Sequence, residues 1–217
     1  DGHDLLKLSS TADYQWSRVF ETLPSSPTYG RSYPKDIAVD SNGNVIVSGY
    51  YKGAVDFNPS ASDYYQLPEE GGSFIAKFDT SGDFLWVQPT EVSNVIVVDE
   101  ADNIYAFASS AISLDSAGQL RWASQLTDAV GYEVTVSGVS IDAQDRVRIV
   151  GSFDSSVDFD SGSGQTTLSP TVKTGFLQTL HFAADGHNGI PIVLFTDSFE
   201  VGQWNGLWVQ DSQNDFF

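Results

Sequence analysis

Three times along this chain an apolar run stops at an acidic turn and resumes. The segments are Ile37-Ala-Val-Asp40-Ser-Asn-Gly-Asn44-Val-Ile-Val47, Val95-Ile-Val-Val-Asp99-Glu-Ala-Asp-Asn103-Ile-Tyr105 and Val139-Ser-Ile-Asp142-Ala-Gln-Asp-Arg146-Val-Arg-Ile149. A second turn recurs downstream, as Asp79-Thr-Ser-Gly82-Asp-Phe-Leu-Trp86, Asp115-Ser-Ala-Gly118-Gln-Leu-Arg-Trp122 and, more weakly, Ala184-Asp185-Gly186-His187. Each unit therefore predicts two hairpins in series. Internal repeats of this kind bury their apolar faces against neighbouring copies of themselves.

The turns have a local cause. Asp and Asn accept hydrogen bonds from the backbone two residues on, and Gly43, Gly82 and Gly118 supply the positive φ that closes a tight hairpin. Consecutive residues of the flanking strands are apolar, as in Val45-Ile-Val47 and Val95 to Val98. Such strands belong to sheets covered on both faces. No segment has helical spacing, so the chain is expected to be all-β with little or no helix.

The first unit resembles the bacterial β-propeller repeat family described as seven-bladed, through Ile37 to Tyr50, Val55-Asp-Phe57 and Phe74 to Trp86. The third echoes it with Val150-Gly-Ser-Phe153, Val157-Asp-Phe159 and Phe176 to Phe182, while the second is abbreviated and lacks the Asp-Phe loop. The resemblance spans roughly 14–189. It implies three propeller-blade-like antiparallel units, at about 35–89, 92–125 and 133–183, and a scaffold rather than a chemistry.

A formal charge of −19 argues against nucleic acid and anionic membrane surfaces as partners. The absence of cysteine removes disulfides and thiolate metal sites. No apolar run approaches the length of a membrane span. The Ser-, Gly- and aromatic-rich composition, with few Lys, resembles secreted bacterial surface proteins, and an extracellular or cell-surface location is expected.

Residues 1–13 are expected to form an N-terminal tail. Tyr14 to Phe20 matches the strand after a second turn and is expected to be the fourth strand of a blade whose other strands are missing. Residues 190–217 form an apolar C-terminal extension, resembling the opening of a lectin-like jelly-roll domain. Three units are too few for an ordinary propeller ring. The repeat is thus expected to be an incomplete propeller, or one completed between chains.

Three roles are open for the ends. The early strand of one copy, with Trp16, Val19 and Phe20, could complete the last sheet of the next. By a second route Val193 to Phe199, with Phe195, or Leu207 to Phe217 could be donated across a subunit boundary, burying Trp204, Trp208, Phe216 and Phe217 in a neighbour. Alternatively, Ile190 to Thr196 folds back as the fourth strand of unit three in its own chain.

For chemistry, Asp40 to Asn44, Asp99 to Asn103 and Asp154 to Asp160 carry oxygens that suit calcium, but none completes the EF-hand spacing, and Asx hairpin turns account for them better. His3, His181 and His187 are scattered, and neither HExxH nor Gly-x-Ser-x-Gly occurs. No catalytic, cofactor or metal residue is assigned. Tyr50, Tyr51, Tyr64, Tyr65, Trp204 and Trp208 suit glycan stacking, whereas Trp16, Trp86 and Trp122 share one repeat position and suit blade packing. The expected function is non-catalytic self-association, head to tail. A glycan- or protein-binding module is the alternative, and a polysaccharide-active enzyme the second.

Overall fold

The structure is a computed structural model that describes residues 4–22, 29–58, 63–91, 95–108, 110–125, 134–142, 146–159, 167–181 and 192–199. Among them there is no helix. The strands are β1 (Asp4–Leu8), β2 (Tyr14–Val19), β3 (Arg31–Val39), β4 (Val45–Lys52), β5 (Gly72–Phe78), β6 (Phe84–Thr90), β7 (Val95–Val98) and β8 (Ile104–Phe107). They continue with β9 (Ser110–Leu114), β10 (Leu120–Gln125), β11 (Val134–Ile141), β12 (Arg146–Phe153), β13 (Val157–Asp158), β14 (Thr167–Leu168), β15 (Thr174–His181) and β16 (Ile192–Phe199).

Three four-stranded antiparallel sheets follow one another: β3-β4-β5-β6, β7-β8-β9-β10 and β11-β12-β15-β16. A two-stranded sheet, β1-β2, precedes them, and β13-β14 forms a small ribbon beside the third. The first strands of the three large sheets, β3, β7 and β11, lie side by side, β7 between the other two. No described sheet closes on itself.

Apolar runs form these strands because their two sides enter two different cores. Val45 and Val47 of β4, with Phe74, Ala76 and Phe78 of β5, pack with Leu5, Trp16 and Phe20 of the first hairpin. The intervening Ile46 and Ile75 pack the other way, with Ile96, Ile104, Ala106, Ile112 and Leu114 of the second large sheet. Tyr105, Phe107, Ala111 and Trp122 of that sheet then meet Val134, Val136, Val147 and Ile149 of the third. Each internal sheet is thus a shared wall between two cores, as the alternation in the sequence demands.

Two expectations are corrected. Asp4–Leu8, expected as tail, is a strand paired with Tyr14–Val19, with Lys7 opposite Trp16. Tyr14–Val19 is therefore no orphan. The third sheet also has its own fourth strand: β16 pairs with β15 along its length, from His181 opposite Ile192 to Gly175 opposite Phe199. The fold-back alternative describes this end of the chain, and β2 does not fill that place. The sequence hid β1 because Ser9 and Ala12 stand where later second turns have Asp and Gly, although Trp16 follows Ser9 at the interval separating Trp86 from Asp79 and Trp122 from Asp115.

Candidate assembly interface

Among the described residues six hairpin turns share one closing hydrogen bond. Ser9, Asp40, Asp79, Asp99, Asp115 and Asp142 each donate their backbone N–H to the carbonyl four residues on. Where the whole turn is described, the first residue's carbonyl accepts from the N–H three residues on. The first side chain accepts two further backbone N–H groups: Asp79 Oδ1 takes those of Ser81 and Asp83 at 2.8 and 2.9 Å, and Ser9 Oγ those of Thr11 and Asp13. The fourth residue is left-handed, with φ of 80° at Gly43, 79° at Gly82, 80° at Gly118, 64° at Ala12 and 62° at Asp102. A type I turn closed by a left-handed residue is a favoured short hairpin connection.

The second turns at Asp79 and Asp115 are each held by the preceding unit. Trp16 Nε1 donates to the Thr80 carbonyl at 2.9 Å, and Trp86 Nε1 to the Ser116 carbonyl at 3.3 Å. Lys7 Nζ reaches the same Thr80 oxygen at 2.8 Å, as Lys77 Nζ reaches that of Ser116 at 3.0 Å. Arg18 adds hydrogen bonds to the Gly82 and Ser81 carbonyls. By these contacts β1 and β2 are the third and fourth strands of a unit placed before unit one. The first turns of units one and two are linked likewise, since Asp102 accepts from Ser41 N, Ser41 Oγ and Asn42 Nδ2 of the preceding unit. That duty accounts for an aspartate where other turns have glycine.

The leading aspartates of the first turns find side-chain partners in three ways. Asp40 Oδ2 lies 2.8 Å from Lys77 Nζ, both side chains buried, and also accepts from Asn44 Nδ2. Burial, the largest influence, opposes ionisation, but the hydrogen bonds from Lys77 and Asn44 outweigh it and hold the Asp40 carboxyl below the usual range. Asp99 takes Asn103 Nδ2 and the Tyr105 hydroxyl, and Asp142 pairs with Arg146 and Arg148. Burial, with the Asp99 charge, pushes the Tyr105 phenol up to about 12 against the hydrogen bond from Arg121. The oxygens of Asp40 and Asp99, candidates for calcium, are thus occupied by N–H and O–H donors and, at Asp40, by a lysine. Part of the third candidate, Asp154 to Asp160, lies outside the described residues.

The predicted interface residues divide. Trp16 and Phe20 are buried inside the chain, Phe20 between Phe57, Phe74 and Phe78, and Val19 is half-buried opposite Asp4. Val193, Phe195 and Phe199 lie in β16, opposite Leu180, Thr179 and Gly175. Trp204, Trp208, Phe216 and Phe217 lie outside the described residues. Of the glycan candidates, Tyr51 belongs to the core with Phe57 and Phe74, Tyr50 stacks on Tyr33, Tyr65 leans on Phe84, and Tyr64 is exposed.

Sequence reasoning missed the two faces that end the run of sheets. Leu6 and Leu8 of β1 are 60% and 47% exposed, whereas Ala76 and Phe78, at the same places in β5, are fully buried. Tyr14, the counterpart of half-buried Phe84, is also exposed. At the other end Val150 is 44% exposed, while its counterpart Ser48 is fully buried. Among the described residues, positions that internal junctions bury are open at both ends. The chain matches no protein-family model, and no curated protein is similar to it at a meaningful level.

Proposed function

We propose that the chain is a non-catalytic repeat scaffold that associates with copies of itself head to tail, in the manner of an incomplete β-propeller. The supporting observation is the pair of end faces. Leu6, Leu8 and Tyr14 occupy the side of a unit that internal junctions place against the preceding unit, and Val150 the side placed against the following one. Two unlike, complementary faces on one chain form a heterologous contact, which yields a ring if the rotation closes and a filament if it does not. Face-to-face packing of the two end sheets is the mode of association, and the cell exterior its setting.

Static light scattering and electron microscopy of the full chain test this reading. The expected result is a multimer that dissociates on dilution, and that Leu6→Glu with Leu8→Glu, or Val150→Glu alone, converts to a folded monomer. A wild-type monomer across the micromolar range overturns it.

A further inference from the structure

Unit two is shorter than unit one, and the shortfall uncovers part of its neighbour. Counted from the leading aspartates, Ile104 of β8 matches Val45 of β4, and Phe107 matches Ser48. The β8-β9 hairpin closes just past this level, where Ala108 donates its N–H to the Ser110 carbonyl, whereas β4 runs on to Lys52. The second sheet covers Ile46 and Ile75 of unit one. Strand alternation puts Tyr50 and Lys52 on the side of Ile46, but beyond the level at which β8 ends. Tyr50 stays 40% exposed there.

The neighbouring strand sets aromatic and basic side chains beside these two. In β3, Tyr33 stands opposite Tyr50 and Arg31 opposite Lys52. The two tyrosine rings stack with centroids 4.5 Å apart. Lys35, at the register shift after Pro34, brings its Nζ to 5.1 Å from the centre of the Tyr50 ring. Arg31, Lys35 and Lys52 are exposed, and among the described residues no ion pair includes any of them. Asp36, the next carboxylate along β3, accepts instead from the N–H groups of Ile37 and Ile96. The chain has 10 Lys and Arg against 29 Asp and Glu, yet three of those cations gather at one end of one sheet. Like charges directly opposite on adjacent strands destabilise a sheet. An anion between Arg31 and Lys52 relieves that repulsion.

We propose that this face binds an acidic saccharide, its carboxylate or sulfate held between Arg31 and Lys52 and its ring against the tyrosines. Cations on neighbouring strands suit an anion through charge-assisted hydrogen bonds. Exposed tyrosine rings, apolar on the face and polar at the hydroxyl, suit the C–H face and hydroxyls of a sugar. The overall charge of −19 does not oppose a short ligand, because physiological salt screens exposed charges beyond about 8 Å and the local cations dominate. A long polyanion also meets the acidic remainder of the surface. The site uses none of the end-face residues and stands whether or not copies associate.

Calorimetric titration of the full-length protein tests this with trigalacturonate, a sulfated galactose disaccharide, their neutral counterparts and tetraglutamate. The expected result is that at least one acidic sugar binds about tenfold or more tightly than its neutral counterpart, the tighter of the two identifying the anion. Arg31→Gln, Lys52→Gln and Tyr50→Ala should each weaken that binding about tenfold with an unchanged melt. Tyr64→Ala, at an exposed tyrosine outside the cluster, should leave it intact. Failure of both acidic sugars to bind at millimolar concentration overturns the proposal, as does equal binding of the neutral sugars. Equal binding of tetraglutamate overturns the saccharide and leaves an acidic peptide as the ligand. Binding that survives both Arg31→Gln and Lys52→Gln overturns the site.

Discussion

The indole of Trp86 lies against Gly118, so close that a Cβ built on the glycine would stand 2.9 Å from Trp86 Cδ2. Trp16 and Gly82 repeat the relationship one unit earlier, at 2.8 Å. Each contact joins two sheets through a turn that also receives the indole N–H.

Gly118→Ala therefore meets two costs. A left-handed L-residue costs about 1–2 kcal/mol, and overpacking against a ring held by its own hydrogen bond adds about 1–3 kcal/mol. A loss of about 2–5 kcal/mol in urea unfolding is expected, with the same sign at Gly82→Ala. An unchanged midpoint would show that the turn and the indole move apart freely.

The same turn position gives the opposite sign at Ala12. Its φ of 64° is relieved by glycine, so Ala12→Gly is expected to stabilise by about 0.5–1 kcal/mol after the added freedom of the unfolded chain is subtracted. Asp102→Gly relieves a similar strain but removes the acceptor of three hydrogen bonds from Ser41 and Asn42, and is expected to destabilise by about 1–2 kcal/mol. Thermal melts of the two variants should move in opposite directions.

The repeat and its strands were legible because apolar runs broken by Asp and Gly have a local cause, and the two-sided covering followed from Val45-Ile-Val47 alone. The first hairpin was not legible, since Ser9 performs the hydrogen bonding of Asp79 with a different side chain and Ala12 adopts the conformation of Gly82 under strain. The pairing of Lys77 with Asp40 was equally hidden. It joins strands whose register depends on both turns, and the equivalent aspartates find Tyr105 or Arg148 instead. End faces are legible only after the stacking order is known, because Leu8 and Phe78 look alike until one is covered.

Tyr105→Phe removes the hydroxyl that Asp99 accepts at 2.9 Å, while Asp99 keeps the N–H groups of Ala101 and Asn103. The expected loss is about 1.5–3 kcal/mol at neutral pH, as for a hydrogen bond to a charged group. With its folded value raised from 10.0 to about 12, the phenol stabilises the fold in full below pH 10 and ceases to as the pH rises through 12. The gap between wild type and variant should therefore narrow between pH 10 and 12. A constant gap would mean that Tyr105 ionises alike in both states.

Lys77→Met strands the Asp40 carboxylate in a site where its side chain is 1% exposed, and removal of one member of a buried pair typically costs about 3–5 kcal/mol. The backbone N–H groups of Asn42 and Asn44 still reach Asp40, which places the expectation toward the lower end. Combining Lys77→Met with Asp40→Asn should recover most of the loss, because no unpaired charge then remains. The pH dependence gives a separate check. Since the folded value of Asp40 lies below its ordinary 3.8, the carboxylate stabilises the fold fully above roughly pH 4 and stops doing so as the pH falls through the folded value. The other acidic residues contribute to both proteins alike, so the difference between wild type and the double variant isolates this pair. That difference should shrink as the pH is lowered from 5 to 2, and a difference that stays flat would mean the ion pair adds nothing beyond the hydrogen bonds of the turn.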